Sequence, residues 1–131
     1  MQKTIVVAED SPIVSKVVEN YLIREGYAVC AFANGRDALL YIQQNVVDLL
    51  ITDLEMPELD GWGLVEQVRT TVSDRLPVIV MSDLNKPGLV QELIDMGVSS
   101  WIPKPFPVRQ LNDCIKKLIV YNSNVLLSTE K

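Results

Sequence analysis

The sequence predicts an α/β fold built on one parallel sheet. Five short apolar runs alternate with five stretches whose apolar residues recur at helical spacing. Chains that alternate strands and helices in this way form parallel sheets with right-handed crossovers. The 131 residues fit one domain that can bury a substantial core, and 48% of them are hydrophobic and 22% charged, as in ordinary globular proteins.

The first two repeats carry clear start and stop signals. The first strand is predicted at Thr4–Ala8, and Ser11-Pro12 then provides an N-cap and a proline at the first helical position. Apolar residues at helical spacing follow as far as Gly26, where the helix is expected to end. The second strand is predicted at residues 27–32 and the second helix at residues 36–44, with an Asn-Gly turn between them.

The remaining repeats complete a sheet that is covered on both faces. The third strand, residues 48–52, is almost wholly apolar, which predicts helices against both of its faces. The last helix begins near Pro107 and carries apolar residues at i, i+3, i+7, i+10 and i+11 from Val108. The other predicted elements are, in order, a helix at 61–71, a strand at 77–81, a helix at 86–96 and a strand at 100–102.

Periodicity is lost near the end of the chain. Residues 1–121 are therefore expected to form the domain, and residues 122–131 a flexible tail or the start of a linker.

Composition narrows the classes of function. The net charge of −5 disfavours direct binding of nucleic acid, which requires a basic surface. No apolar stretch approaches the roughly 18 residues that suggest a membrane span, and the chain starts with a strand rather than a signal peptide, so we expect a cytoplasmic protein without membrane contact. Histidine is absent, which excludes Ser-His-Asp and Cys-His relays and histidine-bound zinc. Cys30 and Cys114 lack metal-binding spacing.

Polar side chains stand at the downstream ends of four predicted strands. Asp10 follows the first strand, Asp53 the third, Ser82 the fourth and Lys104 the fifth. In a parallel α/β sheet all carboxyl-terminal strand ends open on one edge, where ligands bind. Residues far apart in the chain are therefore expected to converge on one site.

The converging groups describe a phosphoryl-transfer site. Carboxylates brought together must share a proton or hold a cation, and Glu9, Asp10 and Asp53 offer only oxygen ligands. Such a set favours Mg²⁺, which often bridges to phosphate oxygens, and Mn²⁺ is a second possibility. The Ser82 hydroxyl and the Lys104 ammonium complete the set.

This order of residues resembles the receiver domains of two-component response regulators, including the single-domain regulators of chemotaxis, over about residues 3–121. The resemblance implies a (βα)5 doubly wound, flavodoxin-like sandwich of three layers with strand order 2-1-3-4-5, and a cis peptide bond before Pro105. The residues that carry it are Glu9-Asp10, Asp53 with Met56-Pro57 and Gly61 downstream, Ser82, and Lys104-Pro105.

The resemblance also implies a role for each matched position. Asp53 would accept a phosphoryl group from the phosphohistidine of a sensor histidine kinase or a histidine phosphotransfer protein. Ser82 and Lys104 would each bind a phosphoryl oxygen, and Lys104 and Mg²⁺ would offset the negative charge that develops. The Mg²⁺ ligands would be Asp10, Asp53 and the backbone carbonyl of Glu55, with Glu9 acting through water. The chain would catalyse only its own phosphorylation and dephosphorylation and is not expected to be an enzyme otherwise.

Switching follows from the charge and acceptor oxygens that a phosphoryl group adds. These can draw Ser82 inward and bias a loop between two arrangements. In the family an aromatic residue at the position of Trp101 moves inward when the hydroxyl leaves its space, and the signal passes to a downstream protein through helix 4, strand 5 and helix 5. Ser99-Ser100 stand where regulators that dimerise through this face often carry acids, so a monomer or a weak dimer is expected.

Three positions depart from the family pattern. Glu55 adds an acid two residues after Asp53, and Asp83 follows Ser82 where a small residue is usual. We hypothesise that both acids modulate the site by slowing phosphorylation by small anionic donors, and that Asp83 also alters dephosphorylation. Trp101 is larger than the usual tyrosine or phenylalanine, which limits a complete inward movement in a close-packed interior.

Three alternatives remain open at this stage. A pseudo-receiver would keep the fold as an interaction module without phosphorylation. A phosphohydrolase of the haloacid dehalogenase type also forms an aspartyl phosphate, but it needs Asp-x-Asp-x-Thr/Val where this chain reads Asp53-Leu54-Glu55-Met56-Pro57. A flavin-binding flavodoxin would need a phosphate loop rich in small residues after the first strand, and the acids of that loop here repel phosphate.

Overall fold

The computed structural model describes the backbone of residues 2–130 and the side chains of residues 2–119. Within these residues, five parallel strands form one sheet of order β2-β1-β3-β4-β5, which confirms the predicted fold class and strand order. The elements are β1 Thr4–Ala8, α1 Pro12–Arg24, β2 Ala28–Phe32, α2 Gly35–Gln44, β3 Leu49–Thr52, α3 Gly61–Thr71, β4 Val78–Ser82, α4 Leu89–Asp95, β5 Ser100–Pro103 and α5 Val108–Glu130.

The start of helix α4 and the end of helix α5 bear on two predicted boundaries. Helix α4 begins three residues later than predicted, because Gly88 has a left-handed backbone with φ of 82° and ends the preceding loop as the N-cap of the helix. Helix α5 extends past residue 121. The predicted tail over residues 122–131 lies outside the residues whose side chains the structure describes, so that domain boundary stays a prediction. None of the helices in the described part of the chain is long and apolar enough to cross a bilayer.

The sheet is buried between two layers of helices. All residues of β3 and β4 are buried, as expected for central parallel strands covered on both faces. One face packs against α1 and α5 through Val18, Leu22, Leu111 and Ile115. The other packs against α2, α3 and α4 through Ala38, Ile42, Leu64, Val65, Val68, Leu89 and Leu93. The charged residues that follow the strands therefore stand on a rigid, closely packed support.

Side-chain caps begin three helices at the edge where the strands end. Ser11 Oγ accepts from the Val14 N–H at 3.4 Å, and Asn34 Oδ1 accepts from the Asp37 N–H at 2.8 Å. Asp60 Oδ1 accepts from the third N–H of α3 at 2.9 Å. Each cap satisfies a helix N–H that has no partner within the helix, and it fixes where the preceding loop enters the helix.

Gly61 permits the close approach of the loop after β3 to the end of that strand. Its N–H donates to the Leu54 carbonyl at 2.9 Å. A Cβ added to Gly61 would overlap the carbonyl oxygen of Asp53 and lie 2.8 Å from Leu54 Cα. Because these neighbours are backbone atoms, a larger residue at this position must displace the segment that carries Asp53.

We predict that Gly61→Ala lowers the free energy of unfolding by about 2 kcal/mol or more, because backbone would have to move to remove the overlap. Urea denaturation followed by circular dichroism measures the change. Gly63→Ala is the matched control: its Cβ would meet the flexible end of the Leu59 side chain at 2.6 Å, and alanine is the better helix former by about 1 kcal/mol. Equal losses in the two variants would contradict this account of Gly61.

Candidate functional site

The register of the sheet brings the predicted site residues together. Ala8 of β1 is paired with Thr52 of β3, so Glu9 and Asp53, the next residues along, leave the sheet side by side. The Asp53 N–H donates to the Ala8 carbonyl at 3.0 Å, which extends this pairing by one residue. The site is therefore assembled by strand order as well as by the positions of its residues in the chain.

Lys104 reaches the same edge from β5. The last residue of β5 is paired with Ser82 at the end of β4, and the Lys104 N–H donates to the Ser82 carbonyl at 2.9 Å. The peptide bond between Lys104 and Pro105 is cis, as predicted.

Three carboxylates form a compact cluster. One oxygen each from Glu9, Asp10 and Asp53 can be chosen so that all three lie within 4.8 Å of one another. Glu9 is 1% exposed and Asp53 7% exposed, whereas Asp10 is exposed to solvent. The cluster thus has a buried floor and an open side.

The Lys104 ammonium group bridges the two buried acids. Its Nζ lies 2.6 Å from Glu9 Oε1 and 2.9 Å from Asp53 Oδ2. The second oxygen of Glu9 accepts from the Ser11 N–H at 3.0 Å. Both carboxylates therefore have the charged or backbone donors that burial requires.

The orientation of Asp53 is set from the backbone side. Its Oδ1 accepts from the Leu54 N–H at 2.6 Å and weakly from the Glu55 N–H at 3.5 Å. Thr52 Oγ1 donates to the Asp53 carbonyl at 2.7 Å from a fully buried position. One carboxylate oxygen is thus held by the loop while the other faces Lys104 and the acids. The sequence analysis did not identify Thr52. Its hydroxyl at the last position of an otherwise apolar strand could have indicated a role beside Asp53.

Burial and ion pairing shift the pKa values of Glu9 and Lys104. Burial raises the pKa of Glu9 above its ordinary 4.5, and the hydrogen bond from Lys104 opposes this shift without cancelling it. Burial would lower the pKa of Lys104, but its hydrogen bonds to Glu9 and Asp53 outweigh burial and raise the pKa above the ordinary 10.5. Lys104 is therefore charged throughout the physiological range.

The donor set fits a hard divalent cation. Three carboxylates and one ammonium leave two formal negative charges at the cluster, and all available ligand atoms are oxygens. The acids therefore form a group that could hold a metal ion such as Mg²⁺. Glu55 is two residues after Asp53 in the chain, and the role of its carbonyl as a ligand stays a prediction.

The other predicted residues lie around the cluster or apart from it. Ser82 is fully buried, and its Oγ accepts from the Leu84 N–H at 3.0 Å. Asp83 and Glu55 are both exposed to solvent. Trp101 lies opposite Val80 in the sheet, half-buried in the core beneath α2, α3 and α4. Its Nε1 is buried and has no hydrogen-bond partner among the residues whose side chains the structure describes. It is not part of the acidic cluster.

Comparisons with known proteins agree with the fold. Residues 5–116 match the family model of the response regulator receiver domain. Response regulator GtcR of Aneurinibacillus migulanus is 38% identical over 106 residues, which make up 81% of this chain and 43% of that protein. Sporulation initiation phosphotransferase F of Bacillus subtilis is 25% identical, over 95% of this chain and 99% of that protein. The chain spans about half the length of several other curated relatives.

A solved structure supports the fold. The receiver domain of a sensor histidine kinase from Pseudomonas aeruginosa aligns with a TM-score of 0.82 and 25% identity, over 91% of this chain and 98% of that one. That structure contains a magnesium ion coordinated in the active-site cleft. The chain therefore belongs to the response regulator receiver domain family and is a receiver domain of two-component signalling, because residues 5–116 match the family model and the strand order and acidic cluster agree with it.

Proposed function

We propose that this receiver domain is a phosphorylation-activated switch in which Asp53 accepts a phosphoryl group from the phosphohistidine of a sensor histidine kinase or a histidine phosphotransfer protein. The observation that carries the proposal is the acidic cluster with Lys104 Nζ 2.9 Å from Asp53 Oδ2. A carboxylate that served only as a cap would need neither the two other acids nor a partly buried lysine bonded to it.

The transfer forms one bond and breaks another. An Asp53 oxygen bonds to phosphorus, the P–N bond of the donor breaks, and its electron pair stays on the leaving imidazole nitrogen. Lys104 offsets negative charge on the acceptor and on the transferred oxygens, while the Leu54 N–H keeps the Asp53 carboxylate from turning away. The chain has no histidine, so the phosphohistidine belongs to the partner.

Glu9, Asp10, Asp53 and the Glu55 carbonyl would hold Mg²⁺, or Mn²⁺ in its place. When bound, the cation supplies positive charge that offsets the repulsion between the donor phosphate and the acids. The magnesium ion in the Pseudomonas receiver structure supports this assignment. Under this proposal the chain promotes only its own phosphorylation and dephosphorylation and is not an enzyme acting on other substrates.

The phosphoryl group would act as a signal through Ser82 and Trp101. Ser82 ends β4 and, through its carbonyl, is already bonded to the Lys104 backbone, so a hydroxyl drawn toward Asp53 pulls on the loop after β4. Trp101 packs in the core next to α4, and its unpartnered N–H would favour an arrangement that supplies an acceptor. The surface of α4, β5 and α5 would then present the change to a downstream protein. A cytoplasmic location and a monomer or weak dimer stay predictions.

Asp53→Asn is expected to abolish phosphorylation, because an amide cannot serve as the acceptor. Intact-protein mass spectrometry after incubation with phosphoramidate and Mg²⁺ measures the gain of one phosphoryl group. The wild-type chain should be labelled with Mg²⁺ and not with EDTA. Asp113→Asn, an exposed position on α5, is the matched control and should be labelled like the wild type. Labelling of Asp53→Asn would contradict the assignment.

Glu9→Gln is expected to reduce the pH dependence of stability in metal-free buffer. Because the folded-state pKa of Glu9 is raised above 4.5, the folded chain binds more protons than the unfolded chain between these two values, and stability falls as pH rises through that window. The contribution of Glu9 to this slope is at most about 1.4 kcal/mol per pH unit. The contribution of Lys104 to stability is constant in this pH window, because it is fully present below pH 10.5 and is lost only as pH rises through the raised pKa of Lys104.

Urea titrations of both proteins from acid to neutral pH, with EDTA present, test this prediction. The free energy of unfolding of the variant minus that of the wild type should grow as pH rises. A difference that is constant with pH would show that the Glu9 carboxylate is not destabilised by its burial.

Trp101 fluorescence is expected to change when the phosphoryl mimic beryllofluoride binds with Mg²⁺. Trp62→Phe removes the other tryptophan, so that the emission reports on Trp101 alone. Ser82→Ala in this background should reduce the response, because no hydroxyl is left to move toward Asp53. Unchanged emission at saturating beryllofluoride, with binding confirmed by calorimetry, would rule out a switching role for Trp101.

A further inference from the structure

A cleft of about 330 Å³ lies at the amino-terminal edge of the sheet, at the opposite end of the strands from the acidic cluster. Lys3, Asp48 and Pro77 line it, and they directly precede β1, β3 and β4. Strands of four or five residues that rise about 3.3 Å per residue place the cleft roughly 15 Å from Asp53. None of the described residues that line the cleft belongs to the phosphorylation site.

Hydrogen bonds between the strand starts hold this edge of the sheet in place. The Asp48 N–H donates to the Thr4 carbonyl at 2.9 Å, and the Thr4 N–H donates to Asp48 Oδ2 at 2.8 Å. On the other side of β3, the Leu50 N–H donates to the Pro77 carbonyl at 3.0 Å. The strand starts are therefore fixed before any ligand binds, which lowers the entropic cost of binding.

Most of the lining of the cleft is apolar. Ile42 of α2 is 2% exposed and Leu76 before β4 is 8% exposed, so these two side chains form the floor of the cleft. Val47 and Ile119 are half-buried, and Val72 is 39% exposed. The volume of the cleft is at the lower end of the range for ligand sites, roughly 300–1,000 Å³. A ligand of this cleft is therefore a small molecule with an apolar body rather than a large cofactor.

Two cationic side chains accompany the apolar lining. Lys3 and Arg75 are exposed, and neither forms a salt bridge with any residue whose side chain the structure describes. Asp48 is the one acid among the described lining residues, and its Oδ2 already accepts from the Thr4 N–H. Two cations and one acid give the lining a single positive charge, in a chain whose net charge is −5. This local excess of positive charge favours an anion as the ligand.

We propose that the cleft binds a small monocarboxylate with an aromatic or branched apolar body. The body packs on the floor formed by Ile42 and Leu76. The carboxylate accepts hydrogen bonds from Lys3 and Arg75, whose guanidinium can offer two parallel N–H groups. A ligand with several negative charges would exceed the positive charge of the lining, and an uncharged ligand would gain nothing from the two cations. This site does not involve Asp53 and lies outside the proposed function.

Amide NMR titrations with phenylbutyrate and phenylbutanol test the site, because the two probes share an apolar body and differ in charge. Ligands of this size bind with dissociation constants on the order of 1 mM. Phenylbutyrate should shift the amide resonances of Asp48, Val72 and Arg75 and leave those of Asp53 and Lys104 unchanged. Phenylbutanol should bind about tenfold more weakly, because it lacks two ion pairs that each contribute about threefold at an exposed site.

Variants that remove one charge each locate the carboxylate of the ligand. Lys3→Gln and Arg75→Gln should each weaken phenylbutyrate binding about threefold and leave phenylbutanol binding unchanged. Lys16→Gln removes an exposed cation on α1, is the matched control and should change neither affinity. Val72→Ser should weaken the binding of both probes, because it removes part of the apolar wall that both contact. Asp53→Asn should bind both probes like the wild type, since the cleft is separate from the phosphorylation site.

Four results would overturn the proposal. Equal affinity for the two probes would show that Lys3 and Arg75 only offset the carbonyl ends of α2 and α3, which also lie at this edge. Amide shifts confined to another surface would place the ligand elsewhere. Equal weakening of both probes by Lys3→Gln and Arg75→Gln would show a disturbed fold rather than a lost ion pair. No shift at about 10 mM phenylbutyrate, ten times the expected dissociation constant, would show that the cleft does not bind this class of ligand.

Discussion

The bridge from Lys104 to Glu9 and Asp53 is the interaction on which the rest of the site depends. Two carboxylates are buried at adjacent strand ends, where each would be strongly destabilised by burial alone. The ammonium group lies within hydrogen-bond distance of both and offsets the repulsion between them. The interaction therefore depends on a fold that brings the carboxyl-terminal ends of β1, β3 and β5 to the same edge of the sheet.

The charge compensation at the cluster is incomplete. The pKa of Glu9 remains raised despite its ion pair, which means that burial still outweighs the hydrogen bonds it receives. The cluster keeps an excess of negative charge that a cation would neutralise.

The packing around the site is as constrained as the charges. Gly61 lies so close to Asp53 that no side chain fits, and the Leu54 N–H holds one oxygen of the carboxylate. One oxygen of Asp53 is thus held by the backbone, and the other lies 2.9 Å from Lys104 Nζ. By contrast, Glu55 and Asp83 are exposed to solvent.

The sequence by itself determined the alternation of strands and helices and the residues that end each strand, because both are encoded in local apolar periodicity and in residue type. It also predicted the acids, Lys104 and the cis bond before Pro105, the last through resemblance to a family. It did not predict the later start of α4, because the left-handed backbone of Gly88 is not specified by periodicity.

Only the tertiary structure decided which charges meet. Lys104 is 95 residues from Glu9 and 51 from Asp53, and its choice of these two acids depends on strand order, register and burial together. The same holds for the tight approach of Gly61 to Asp53. Local sequence specifies faces and ends of elements, whereas contacts across many residues exist only once the elements are packed.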